Sequence, residues 1–293
     1  MWLWLAIGSA LSLGVYDIFK KVSVTGNNVL GVLFWNTTFC ALIMLPFIGS
    51  DLLAGATVLG GGVRGHAMIL MKSAIVLTSW TLGYYSIKHL PLTITGPITA
   101  TRPVIVLIGA LLIFGERLNL LQWAGVLMGF ASLLFISRLG RKEGEPGART
   151  GLWLAMAAGA TLFGAISALY DKYLLRHYEP LQVQAWYSVY QCVIMGVTLL
   201  IISRRAAGPV VPFRWRWTIP GIALFLSAAD MAYFYALSDP SAMVSVVSMI
   251  RRGSVIVSFF FGVIALHERH VRAKLLDLAL LIVGLILLVL GSR

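Results

Sequence analysis

Arg138-Leu-Gly-Arg-Lys-Glu-Gly-Glu-Pro-Gly-Ala-Arg-Thr150 is the one long polar stretch in a chain that is otherwise almost continuously apolar. Its glycine, proline and charge content reads as a linker, and it divides the 293 residues into two halves of similar length. Outward from it, apolar runs follow one another in both directions. They cover 119–137, 92–114, 66–88, 28–49 and 2–19 before it, and 151–174, 182–203, 217–238, 241–264 and 272–291 after it. A hydrocarbon core about 30 Å thick needs about 20 apolar residues as a helix, so the pattern predicts ten transmembrane helices. The shortest connections carry proline, His89-Leu90-Pro91 and Ser238-Asp239-Pro240, where proline ends one helix and can open the next.

Composition agrees with that reading. Hydrophobic residues make up 59% of the chain and charged residues 12%, with mean hydropathy +0.89. A soluble domain has about 45–50% apolar and about 25% charged residues, so a soluble enzyme is excluded, and so is a disordered chain. The net charge of +12 would suggest nucleic acid in a soluble protein. Here it belongs to the cytoplasmic ends of helices. Cys40 and Cys192 lie in apolar runs and read as small buried hydrophobes, with no disulfide framework. The first run has no basic leader, and Lys20 and Lys21 follow it, which predicts a retained helix rather than a cleaved signal.

The two halves echo each other. Tyr16-Asp17 near the end of the first run matches Tyr170-Asp171 near the end of the sixth, and Phe34-Trp35 matches Trp186-Tyr187. Gly83-Tyr-Tyr-Ser-Ile-Lys-His-Leu-Pro91 parallels Ala232-Tyr-Phe-Tyr-Ala-Leu-Ser-Asp-Pro240. Arg102 corresponds to Arg251-Arg252, and Gly115-Glu116-Arg117 to His267-Glu268-Arg269. The predicted organisation is therefore a five-helix repeat over residues 1–137, a linker over 138–150 and a second repeat over 151–293. Five crossings are an odd number, so the copies must be inverted. Inverted repeats around a midplane site mark secondary transporters; a scaffold without transport is the alternative.

The stretches Thr81-Leu-Gly-Tyr-Tyr-Ser-Ile-Lys-His-Leu-Pro-Leu-Thr-Ile-Thr-Gly-Pro-Ile-Thr-Ala100 and Gly115-Glu-Arg-Leu-Asn-Leu-Leu-Gln-Trp-Ala-Gly-Val-Leu-Met-Gly129, with a weaker copy from Tyr233 to Glu268, resemble the drug/metabolite transporter superfamily in its EamA-like branch. The resemblance implies an all-α polytopic membrane protein, with ten helices in two inverted five-helix repeats around a central cavity. It also implies export or exchange of small polar metabolites, amino acids among them. Superfamily relatives move nucleotide sugars, phosphorylated sugars and quaternary amines, so import of a quaternary amine such as choline is an alternative, and flipping of a lipid-linked substrate is another. Asp277 stands where the first half has Gly125, so close packing there is not expected to be copied between the halves.

Ionisable side chains inside spans are costly and mark pathways. Arg102 lies eleven residues past Pro91 and Arg251 eleven past Pro240, with Asp230 ten before it. At 1.5 Å per residue all three sit about 15 Å deep. Arg102, Asp230, Arg251 and Arg252 are thus the predicted charged centre, with Asp230 pairing to Arg251 across the eighth–ninth hairpin. Trp35, Trp80, Tyr84, Tyr187 and Tyr233, with Asn36 as a neutral hydrogen-bonding group, are the predicted substrate-facing wall, because rings stack on flat solutes or cage ammonium groups. Lys72, about six residues into its run, is expected to snorkel to the interface. Asp17 and Asp171 are expected at helix ends, paired with Lys20 and Lys172, and Glu116 and Glu268 as caps or loop contacts. A broken helix is expected at Thr95-Gly96-Pro97 and Arg102-Pro103.

No HExxH motif, paired carboxylates or phosphate-binding loop occur, so neither enzymatic activity nor a metal or cofactor is expected. The expected function is secondary transport of a small organic solute across the inner membrane by alternating access, with export favoured. Expected partners are the solute, the bilayer and a coupling proton or ion, with no nucleic acid, in a monomer or homodimer. Fourteen basic residues follow odd-numbered runs and five follow even-numbered ones or the chain end. The positive-inside rule then places both termini outside the cytoplasm.

Overall fold

The computed structural model describes residues 1–24, 26–53, 62–89, 101–140, 150–205, 212–254 and 271–291, with Ile98 and Val257 as isolated positions. Ten helices occupy them: α1 (Trp2–Val24), α2 (Val29–Leu53), α3 (Gly62–His89), α4 (Arg102–Phe114), α5 (Leu120–Gly140), α6 (Thr150–Leu174), α7 (Pro180–Arg205), α8 (Thr218–Ser238), α9 (Val244–Arg251) and α10 (Val271–Gly291). No strand occurs among the described residues. α1, α2, α6, α7 and α8 each combine the length and hydropathy needed to cross a bilayer. This is a multi-pass membrane protein: in hydrocarbon a helix satisfies its backbone internally, so apolar runs of this length fold as helices.

Three helices differ from their apolar runs in ways that matter for the site. α1 continues to Val24, seven residues past Asp17. α3 begins at Gly62, so Lys72 lies ten residues in rather than at an end. α9 is short, and the hydrogen bonds after it tighten to a three-residue pattern, Arg252 N–H to Met249 O at 3.0 Å and Gly253 N–H to Ile250 O at 2.8 Å. Tightened turns of this kind are frequent at helix C-termini. The break expected at Thr95-Gly96-Pro97 lies outside the described residues, as does the side chain of Asp277.

The major interfaces join one half to the other. α1 packs along α8, α3 along α6, α2 along α7 and α5 along α10. Exchanging α1–α5 with α6–α10 turns α1·α8 into α6·α3, α2·α8 into α7·α3, and α4·α6 into α9·α1, while α2·α7, α4·α9 and α5·α10 map onto themselves. Polar seams accompany the apolar ones: Ser9 Oγ donates to Ala229 O at 2.7 Å, and Asn27 Nδ2 donates to Arg214 O at 2.7 Å. α5 and α10 meet backbone to backbone. A Cβ on Gly125 would lie 2.7 Å from Gly284 O, so small residues set this crossing. Gly284, and not the position of Asp277, supplies the matching small residue.

Candidate functional site

A cavity of about 310 Å³ lies between seven helices, α1, α3, α4 and α6–α9, and the tightened turn after α9. Its walls follow helical spacing, which brings residues three and four apart onto one face. α1 contributes Leu13, Tyr16, Asp17 and Lys20; α3 contributes Lys72, Val76 and Trp80; α8 contributes Leu226, Asp230, Tyr233 and Phe234. α4 adds Arg102, α6 adds Ser167, Ala168 and Asp171, α7 adds Tyr187, and the α9 region adds Ser248, Arg251, Arg252 and Ser254. Among the described residues, none of α2 lines this wall.

Five cationic side chains face three carboxylates here, an excess of two positive charges. Lys72, only 2% exposed, forms an ion pair with Asp171, and its Nζ sits 4.3 Å from the Tyr187 ring centroid and 4.6 Å from that of Phe234. Gln191 Nε2 donates to the Tyr187 hydroxyl oxygen at 2.8 Å and fixes that ring. Arg251 Nη2 donates to Asp230 Oδ1 at 2.9 Å, and its guanidinium carbon lies 4.1 Å over Tyr233. Arg251 Nε is buried with no hydrogen-bond partner among the described residues. Arg102 Nη2 donates to Gly164 O at 2.6 Å, and the rest of its exposed side chain opens on the cavity. Gly164 leaves room for that placement, since a Cβ there would lie 2.7 Å from the guanidinium carbon and the guanidinium would have to shift.

The α8–α9 connection is clamped from two sides. Lys172 Nζ donates to Leu237 O, Asp239 O and Ala242 O at 2.9, 3.0 and 2.6 Å. Glu116 accepts the first amides of α9, Val244 N–H at 2.6 Å and Ser245 N–H at 3.2 Å, and also the Ser245 hydroxyl at 2.5 Å. The Ser241 hydroxyl and amide both donate to Asp239 and hold its carboxyl below the usual carboxylate range. Glu116 is thus the N-cap partner of α9 supplied from another helix–helix loop. Glu116→Ala is expected to cost about 1–2 kcal/mol, read as a lowered midpoint of unfolding in detergent.

Of the residues expected at the site, Trp80, Arg102, Tyr187, Asp230, Tyr233, Arg251 and Arg252 line this one cavity. Trp35 does not. It packs edge-on against Trp215 at 5.6 Å between centroids and lies beside Phe39 and Phe34, in an exposed cluster with Trp217 that reads as an interfacial belt. Asn36 is buried beside Cys40, whose thiol points to its side-chain oxygen at 3.9 Å, because α2 backs onto α7 and α8 rather than onto the cavity. The side chain of Tyr84 lies outside the described residues. Lys72 does not snorkel; Asp171 is at hand, and the two are buried together. Asp17 and Asp171 line the cavity rather than the interface, and Lys172 clamps carbonyls instead of pairing with Asp171. The Tyr-Asp echo between the halves was the available signal for both aspartates.

A model of the EamA-like transporter family matches residues 1–138 and again residues 151–290. A riboflavin transporter of Rhizobium johnstonii is 28% identical over 215 residues, covering 71% of this chain and 64% of that protein. The match thus spans less than two thirds of that relative's length. An uncharacterized transporter of Archaeoglobus fulgidus is 23% identical over 299 residues, covering 98% of this chain and 94% of its own. A solved crystal structure aligns with TM-score 0.75 at 17% identity, over 99% of this chain and 96% of that one, which places the two in one fold. With two family matches that together span nearly all of a polytopic helical chain, the protein belongs to the EamA-like transporter family.

Proposed function

We propose that the protein is a secondary transporter of a small organic anion or zwitterion, carrying a carboxylate or a similar acidic group, across the inner membrane. The observation that carries this is the cavity's surplus of cations, of which Arg102 keeps its guanidinium open to the space. Guanidinium binds carboxylate bidentately. A volume of about 310 Å³ stands at the small end of ligand pockets, about 300–1,000 Å³, and suits a solute of amino-acid size. The ring faces speak against a quaternary amine such as choline, because Tyr187, Phe234 and Tyr233 already face Lys72 or Arg251.

The two five-helix units, residues 1–137 and 151–293 around the linker 138–150, serve as inverted repeats that rock about this site, with export as the working direction. Support comes from the odd helix number per unit and from the helix pairs that exchange into one another. Fusing a reporter that fluoresces only in the cytoplasm to the C-terminus is expected to give no signal, as the basic tally requires; bright cells would reverse the orientation. The substrate test is a thermal-shift series in detergent with amino acids, aromatic carboxylates, choline and riboflavin. Stabilisation by carboxylates and none by choline is expected. Stabilisation by choline alone overturns the anionic reading, and stabilisation by riboflavin alone moves the cargo to a neutral heteroaromatic.

A further inference from the structure

The groups around the Lys72 ammonium are those that hold an organic cation. Two aromatic faces stand at 4.3 and 4.6 Å, the rings themselves cross at 72° with centroids 6.3 Å apart, and Asp171 supplies the counter-charge. Gln191 locks one ring by its hydroxyl. Quaternary ammonium sites are built from such aromatic boxes with a nearby carboxylate. Here the box lies in the wall of the cargo cavity, and its occupant is the protein's own lysine, which enters from α3 while the box comes from α6, α7 and α8.

We propose that Lys72 sets the sign of the cargo: its side chain self-occupies an organic-cation site and so converts a cation-accepting wall into an anion-accepting one. This rests on the reading of the cavity as the cargo site. The charge arithmetic follows from the same residues. With Lys72 present the cavity carries an excess of two positive charges. Without it the excess falls, and one carboxylate flanked by two ring faces is left open to whatever enters. Arg251, over Tyr233 and paired to Asp230, repeats the arrangement elsewhere in the cavity and stays in place when Lys72 is removed. The change is therefore local to the Asp171 box.

The test is isothermal titration of purified protein in detergent with tetramethylammonium chloride, against sodium chloride of equal ionic strength. Wild-type protein is expected to show no saturable binding. Lys72→Ala is expected to acquire it, at least about tenfold tighter than any wild-type signal, the equivalent of one desolvated ring contact. Lys72→Ala/Asp171→Asn is expected to lose the gain again. A folded, monodisperse Lys72→Ala that binds no tetramethylammonium overturns the proposal. Removing Lys72 strands Asp171 in the interior, so Lys72→Ser, polar yet short enough to leave the box open, is read by the same criterion if the alanine variant does not fold. Saturable wild-type binding that Phe234→Leu abolishes would show the box already open and overturn the proposal too. If wild-type protein binds no carboxylate, the anionic function fails while the cation result on Lys72→Ala still stands on its own.

Discussion

Asp171→Ala is expected to destabilise the folded protein by about 3–5 kcal/mol, because removing one member of a buried ion pair strands the other charge. Lys72 is 2% exposed and its neighbours are rings and Asp171, so its ammonium loses its one charged partner in a largely desolvated setting. Transport should vanish with stability. The informative companion is Lys72→Met/Asp171→Leu, which replaces the pair by apolar groups of similar bulk. Such swaps are often neutral or stabilising, so the double variant is expected to melt near or above wild type while remaining unable to transport. Equilibrium unfolding in detergent separates the two outcomes. A double variant as unstable as Asp171→Ala would show that the pair supports the fold by more than charge compensation.

Arg102→Gln is expected to weaken binding of an anionic substrate about 30-fold, with little change in melting. A hydrogen bond to a charged group is worth about 1.5–3 kcal/mol, and the side chain's hydrogen bond within the protein is the one to the Gly164 carbonyl. Arg252→Gln is expected to act in the same direction, since it lines the same cavity. Gly164→Ala tests position without removing charge: its methyl would meet the guanidinium at 2.7 Å and push it off the carbonyl, with a several-fold weaker affinity expected. The readout is substrate-dependent thermal shift followed by uptake into proteoliposomes. Unchanged uptake in Arg102→Gln would remove that arginine from the substrate path.

Most of the fold was legible because the bilayer imposes one rule on every span. An apolar run of about 20 residues has a single structural solution, and the ten runs correspond to the ten helices among the described residues. Spacing from the hairpin prolines brought Asp230 and Arg251 to one depth, and they form an ion pair. Side-chain direction was not legible. Trp35 and Tyr187 looked alike as aromatic openings of paired runs, yet α2 turns Trp35 to an exposed belt while α7 turns Tyr187 to the cavity. Lys72 and Asp17 fall at helix ends only on the assumption that the end of an apolar run is the end of a helix; α1 continues five residues past its run, to Val24. α3 starts four residues before its run, and a charge deep in a helix passes for an interfacial one when run ends are taken as helix ends. The partners of Glu116 and Lys172 lie more than sixty residues away, beyond any local pattern.

The pairing of α1 with α8 also sets a clock. Ser9 finds its partner at Ala229, 220 residues further along the chain, and a ribosome adds about 5–20 residues per second, so that partner is synthesised on the order of 10–40 s later. Through that interval the first helix stands in the lipid without the surface it finally packs against, and the same holds in part for α2 and α3, which await α6 and α7. Assembly of the bundle is therefore governed by the end of translation, and quality-control proteases have tens of seconds in which half a protein is all there is to inspect.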